Sequence, residues 1–241
     1  MKAPTMASII ERRLLVNYRL DPDATARLLP RHMSPDLVNG YAVGGICLIR
    51  LSRLRPAGLP ARLGVTTENA AHRIAAVWEG PKGPERGVYI PRRDTSSRLT
   101  ALIGGRVFPG EHHHARFDVH ESVDQLQVSF HSADATAHAG VVVKVDDALR
   151  DSALFKDTAA ASCFFRDAPI GCSARASRPG VDAVQSTTDC WTITPARLLN
   201  VESSFFSDTD RFPIGSAEPD SVLLMRDTPA LWRAHPAPTC Q

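Results

Sequence analysis

The chain has 241 residues, 43% of them hydrophobic and 22% charged, with a formal net charge of +2. This is the composition of an ordinary globular protein, long enough to bury a full core. No apolar run approaches the ~18 residues of a membrane-spanning helix. No nucleic-acid recognition motif is present.

Taken in order, Arg12–Arg19 reads as a strand. Asp21-Pro22-Asp23 starts a helix, with Asp21 as N-cap and Pro22 at the first helical position, and Pro30 stops it after Leu29. Asn39-Gly40 is a turn signal, and Tyr41–Leu54 behind it is a long strand. Asn69–Trp78 is a further strand. Alternation puts Glu68, Ala70, His72, Ile74, Ala76 and Trp78 on one face, and Asn69, Ala71, Arg73, Ala75, Val77 and Glu79 on the other. The first face is the more apolar, yet it carries a carboxylate and an imidazole at one end. Pro81-Lys82-Gly83-Pro84 is a turn that folds this strand back on Gly87–Ile90, which Pro91 breaks.

The alternation of that second strand separates two neighbouring arginines. Val88, Ile90 and Arg92 fall on one side, and Gly87, Tyr89, Pro91 and Arg93 on the other. A guanidinium stays protonated, so Arg92 on an interior face needs an anionic partner or an anionic ligand. The competing readings are a structural ion pair, or a strand that ends before Arg92. With matching register, the hairpin places Glu68 and His72 near Arg92. Asp94 is a candidate N-cap for a short helix over Ser97–Ile103, which Gly104-Gly105 stop.

His113–His120 and Gln125–His131 form another hairpin, and Gly140–Val145 is a strand. Ser152–Phe165 is the strongest helix, with Leu154, Phe155, Ala159 and Cys163 on its buried side and Phe164 at its margin. Short strands follow at Ile170–Arg178, Val184–Thr194 and Val222–Met225. The reading is one domain over residues 1–241, α+β but mainly antiparallel β, as a barrel or sandwich with about three helices.

Few motifs carry chemistry. His112, His114 and His120 share a face with Arg116 and Asp118, opposite Phe117 and Val119. A solvated strand is expected there rather than a metal site. There is no GxSxG, GxGxxG, P-loop or HExxH. Ser96 and Ser97 are helix-start residues, and Trp78, Trp191 and Trp232 belong to a core or an interface. The cysteines, Cys47, Cys163, Cys172, Cys190 and Cys240, are odd in number and widely spaced, which fits reduced thiols in a cytoplasmic protein. Cys163 and Cys190 are expected to pack in the core. Only Lys2, Lys82, Lys144 and Lys156 supply amines for covalent chemistry.

RRLLVNYRLDPDATARLLP, TTENAAHRIAAVWEGP, GVYIPRRDTSSRLTALIGGRVFPG and SSFFSDTDRFP…DSVLLMRD together resemble the acetoacetate decarboxylase-like superfamily, and most closely its uncharacterised bacterial YqjF-like branch. The resemblance implies a conical β-barrel with a few flanking helices and a pocket at the barrel mouth. It sets Thr67-Glu68 where decarboxylases have a catalytic-site glutamate. Pro91-Arg92-Arg93 stands where they carry Pro-Lys-Lys, the first lysine being the Schiff-base amine. A guanidinium cannot form that imine, so acetoacetate-type decarboxylation is not expected. What remains is a pocket in which Glu68 and Arg92 are the catalytic pair, with His72, Arg93, Tyr89 and Asp94 binding substrate. The expected activity is lyase, isomerase or cyclase chemistry by proton transfer, without cofactor, on an anionic or β-dicarbonyl-like small molecule. A non-catalytic small-molecule binding protein is the alternative. No nucleic-acid or membrane partner is expected, and a homo-oligomer is left open.

Overall fold

The computed structural model describes residues 4–80, 83–103, 108–175, 180–236 and 238. Strands dominate: β1 (Met6–Leu20), β2 (Met33–Pro35), β3 (Leu37–Val38), β4 (Tyr41–Pro56), β5 (Val65–Gly80), β6 (Gly83–Thr95), β7 (His112–Glu121), β8 (Gln125–Ser132), β9 (His138–Val145), β10 (Ile170–Ala174), β11 (Val181–Thr187), β12 (Thr194–Ser203) and β13 (Ala217–His235). Among the described residues three short α-helices interrupt them: α1 (Pro22–Ala26), α2 (Arg98–Ile103) and α3 (Thr158–Arg166).

The strands form one mixed sheet whose pairings return on themselves. The path β6-β7-β8-β9-β12-β13-β1-β4-β5 closes because β5 also pairs with β6. A second, shorter circuit runs from β6 through β10 and β11 to β13, and shares β13-β1-β4-β5-β6 with the first. Most pairs are antiparallel; β6 is parallel to both β7 and β10.

The shared strands therefore have protein on both faces. Even-numbered residues of β1, such as Leu14, Val16, Tyr18 and Leu20, join a core with β7, β8, β9 and Phe205-Phe206. Leu15 and, on β4, Cys47, Ile49 and Leu51 join a second core covered by α3. His72, Arg73, Ile74, Ala75 and Ala76 are consecutive and all buried, which an alternating pattern of one wet and one dry face cannot produce. Ring closure makes this possible, since it gives the sheet two insides.

Local signals in the sequence are borne out where the cause is local. Asp21 caps α1, its side chain accepting from the Ala24 amide at 2.8 Å. Asn39 and Gly40 both take positive φ, 51° and 84°, as the tight turn before β4 requires. The β5–β6 hairpin forms, with Gly80 opposite Gly83; residues 81–82 of its turn lie outside the described residues.

Other expectations need correction. Asp94 is not a helix cap: it is a buried strand residue, and the Ser97 hydroxyl accepts from the Thr100 amide at 3.1 Å instead. The proposed stop at Gly104-Gly105 lies outside the described residues. The strongest helix expected, Ser152–Phe165, is reduced to α3, with Asp157 as its N-cap. Asp220 is the reason. It accepts from the Ser152 hydroxyl at 2.6 Å and from the Ala153 amide at 2.7 Å, which holds the first turn in another conformation. Cys163 and Cys190 are exposed rather than core residues, whereas Cys47 and Cys172 are buried; all four thiols are free.

Candidate anion-binding cavity

A cavity of about 460 Å³ lies on the α3 side of the shared strands. Four arginines line it: Arg166 from α3, which pairs with Asp167 at 3.2 Å, and on the strands Arg13 from β1, Arg73 from β5 and Arg93 from β6. Register explains how the strand arginines come to one surface. Ala71 sits opposite Cys47 on one side and opposite Arg93 on the other. Arg73 is two residues along β5, and Arg13 pairs with Ile49, two residues along β4 in the other sense. Ala71 has only a methyl group, so the Arg93 side chain can lie across the sheet.

Arg93 reaches this surface because β6 is irregular. His72 faces Arg92 and Ile74 faces Tyr89, so β6 spends one residue more than β5 between the two pairs. An extra residue in one strand is a β-bulge, and it reverses the side-chain alternation beyond it. Val88 and Ile90 line the cavity, and after the bulge so does Arg93 instead of Arg92.

The guanidiniums of the three strand arginines, Arg13, Arg73 and Arg93, are poorly satisfied. Arg93 Nε donates to the Ser173 hydroxyl at 3.2 Å, and its Nη2 has no partner. Arg73 is 2% exposed and donates from Nη2 to the Asn17 side chain, while its Nε and Nη1 have no partner. Its guanidinium lies 4.6 Å from the centre of the Phe165 ring. Arg13 Nε is also without a partner. Burial pushes both Arg73 and Arg93 down to about 10, so both remain cations at neutral pH. Two acidic residues contribute to the wall. The Asp94 carboxylate is held by Arg92, and Asp189 is exposed.

His112 faces the same space. It pairs with Arg93 across the parallel β6–β7 contact, and its Nδ1 lies 3.2 Å from the carbonyl oxygen of Gly110. Donation to that carbonyl places the NH on Nδ1 and leaves Nε2 with the lone pair. Gly110 has φ 87°, and a side chain there would meet Ser173 at 2.6 Å, so the turn that presents this carbonyl requires glycine. Burial, then the charge of Arg93, lowers His112 to about 4, and the ring is neutral at pH 7.

The expected residues are not gathered in one place. Glu68 is bonded to Arg12 and Arg50, not to Arg92. It belongs to a network with Glu11, Glu121 and Arg226 around Arg12, which is only 1% exposed. Arg92 holds Asp94 through two hydrogen bonds, at 2.9 and 3.0 Å, and donates to the Thr136 hydroxyl at 2.7 Å. His72 does lie beside Arg92 in register, but on the other face from the cavity. It is fully buried and stacked on Phe205 at 4.7 Å, with Ser203 Oγ 3.4 Å from Nε2. Tyr89 packs with Trp78, Ile170 and Cys172. Of the residues expected to form the site, only Arg93 and Asp94 line the cavity.

Arg13, Arg73 and His112 line the cavity but are not among the residues expected from the sequence. Alternation assigns Arg73 to the more polar face of its strand and His112 to a wet one. The histidine run in fact divides. His112 turns to the cavity, His113 bonds Asp134 at 2.8 Å, and His120 is exposed beside Asp118.

Comparison with known structures defines the class first. The chain is similar to an acetoacetate decarboxylase-like enzyme from Sphingomonas wittichii RW1, with a TM-score of 0.63 and 13% identity over 100% of this chain and 94% of that one. It is similar to the enduracididine biosynthesis enzyme MppR complexed with pyruvate, with a TM-score of 0.60 and 14% identity over 97% and 91% of the two chains. It is also similar to acetoacetate decarboxylase from Legionella pneumophila, at a TM-score of 0.59 and 12% identity over 98% and 88%. The fold is of the acetoacetate decarboxylase-like type. Within that class the chain belongs to the DUF2071 family, described as an uncharacterized conserved protein, whose model matches residues 10–222. No curated protein matches it in sequence.

Proposed function

We propose that the chain is a small-molecule enzyme that binds an organic anion through Arg93 and transfers a proton on it without a Schiff-base lysine. The observation that carries this reading is the half-buried guanidinium of Arg93 at the wall of a largely apolar cavity, with its Nη2 closed off from solvent and without a partner. A guanidinium held away from water without a carboxylate partner is costly, and an anionic ligand supplies what it lacks. Arginine suits a carboxylate or an enolate oxygen because its N–H groups form a planar fork.

The proton carrier in this reading is His112 rather than Glu68, whose carboxylate is committed to Arg12 and Arg50. A neutral imidazole with Nε2 free accepts a proton from a carbon beside a carbonyl, while Arg93 stabilises the charge that develops on oxygen. Lys144 and Lys156 are exposed, and among the described residues no lysine lines the cavity. Enolisation by this proton transfer opens isomerase and cyclase reactions of oxo acids, and those lyase reactions that expel a group from the carbon next to the enolate. The test is proton NMR of 2-oxo and 3-oxo acids in D₂O. Wild-type protein should speed deuterium uptake beside the carbonyl, and Arg93→Leu and His112→Gln should abolish the effect. No acceleration by wild type across both series would contradict catalysis.

A further inference from the structure

The cavity has a second end that a small oxo acid does not use. From the level of Arg93, β4 runs through Ile49 and Leu51 to Leu54, all in the cavity wall. At ~3.3 Å per residue, the five steps from Ile49, at the level of Arg13, to Leu54 carry the wall on the order of 15 Å beyond the strand arginines. Trp232 lies beyond this, opposite Met6, which itself faces Pro56. Phe108 meets Trp232 edge-on at 5.8 Å, and Trp191 completes this part of the lining.

Both indole N–H groups are already used. Trp191 donates to the Ser162 hydroxyl at 3.0 Å and Trp232 to the Ser8 hydroxyl at 2.9 Å. With those donors committed elsewhere, the tryptophans offer the cavity ring surface rather than hydrogen bonds. One end of the cavity is thus cationic, and the other presents aliphatic and ring surface from β4, Phe108, Trp191 and Trp232, with Gln185, Ser186 and Thr187 of β11 alongside Trp232. Its volume falls in the range that encloses drug-sized molecules, well above the need of a three-carbon acid.

We infer that the ligand is a carboxylate with a bulky apolar body, of aryl or medium-chain alkyl size, lying along β4 with its charged end at Arg93. This rests on the anion-binding reading above and specifies its substrate class. Apolar contact along the wall adds affinity in proportion to the area removed from water, whereas the carboxylate contact is common to every acid.

Isothermal titration of the full chain at pH 7 with four probes tests it: 3-phenylpropionate, octanoate, propionate and pyruvate. The two large acids should bind at least tenfold more tightly than the two small ones. Trp232→Ala should reduce that ratio, with a circular dichroism spectrum like that of wild type. If propionate or pyruvate binds as tightly as the large acids, the inference is overturned while the anion reading stands. If none of the four binds, both are overturned.

Discussion

Arg92 and Arg93 are neighbours in the chain, yet their guanidiniums lie on opposite faces of β6. Arg92 is neutralised by the buried carboxylate of Asp94, at 2.9 Å. Arg93 has a hydroxyl for a partner and a cavity in front of it. Strand alternation separates the two, and the bulge between Tyr89 and Arg92 decides that Arg93 rather than Arg92 faces the cavity, which leaves one paired and one available cation.

The Arg12 network is architectural on this account. Arg12→Met strands Glu68 and Glu121 beside Arg50 and Arg226, which compensate in part. The expected loss is about 3 kcal/mol, at the low end for breaking a buried pair. Urea unfolding measures it. Glu68→Gln should change stability but leave anion binding intact, and a loss of binding in that variant would return Glu68 to the site.

Acid should destabilise the fold through His72. Burial, aided by the charges of Arg92 and Arg211, lowers this imidazole from 6.5 to about 3. The unfolded chain therefore takes up a proton below pH 6.5 that the folded chain refuses until about pH 3. Stability is fully present above 6.5 and falls as pH drops through that window, by on the order of 4 kcal/mol at its lower end. His72→Phe should flatten the dependence in thermal melts between pH 7 and 4. An unchanged slope would show that other groups set the acid limit.

Anion affinity should rise as pH falls from 7 towards 5. A carboxylate bound at Arg93 offsets the positive charge that helps to hold His112 near 4, so its affinity for protons increases on binding. The complex then takes up a proton, and linkage makes binding tighter at lower pH. The groups facing His112 are Arg93 and His113, and Gly110 holds its Nδ1 side. Titration calorimetry in buffers of different ionisation enthalpy would detect the proton, and His112→Gln should remove it.

No imine should form with an oxo acid. Borohydride treatment in the presence of acetoacetate, followed by mass spectrometry, should leave the protein mass unchanged. An adduct on Lys144 or Lys156 would require a mechanism that this cavity does not contain.

Much of the architecture was legible in the sequence because its causes are local. The Asp21-Pro22 helix start, the Asn39-Gly40 turn and the β5–β6 hairpin each depend on a few adjacent residues. The site was only half legible. Period-two reasoning treats a strand as uninterrupted, and it assigned Arg92 to the face that the bulge gives to Arg93. It also assumed one buried face per strand. Arg73 looked outward for that reason, although the second circuit of strands and α3 cover it. The unbroken burial from His72 to Ala76 was the available signal, since AHRIAAV has apolar residues on both faces. Nothing local to Ser152 announces Asp220, which is 68 residues away and replaces the first turn of the expected helix.

The most direct test of the central claim is Arg93→Leu, titrated with 3-phenylpropionate and pyruvate beside wild type, with unfolding followed in parallel. Leucine removes an incompletely bonded cation from an apolar wall, so stability should hold or increase. Losing a charge-assisted contact costs ~1.5–3 kcal/mol, about one to two orders of magnitude in affinity. The account predicts a folded variant, at least as stable as wild type, that has lost this much affinity for the acid wild type binds. A destabilised variant that binds the same acid as tightly as wild type would contradict it.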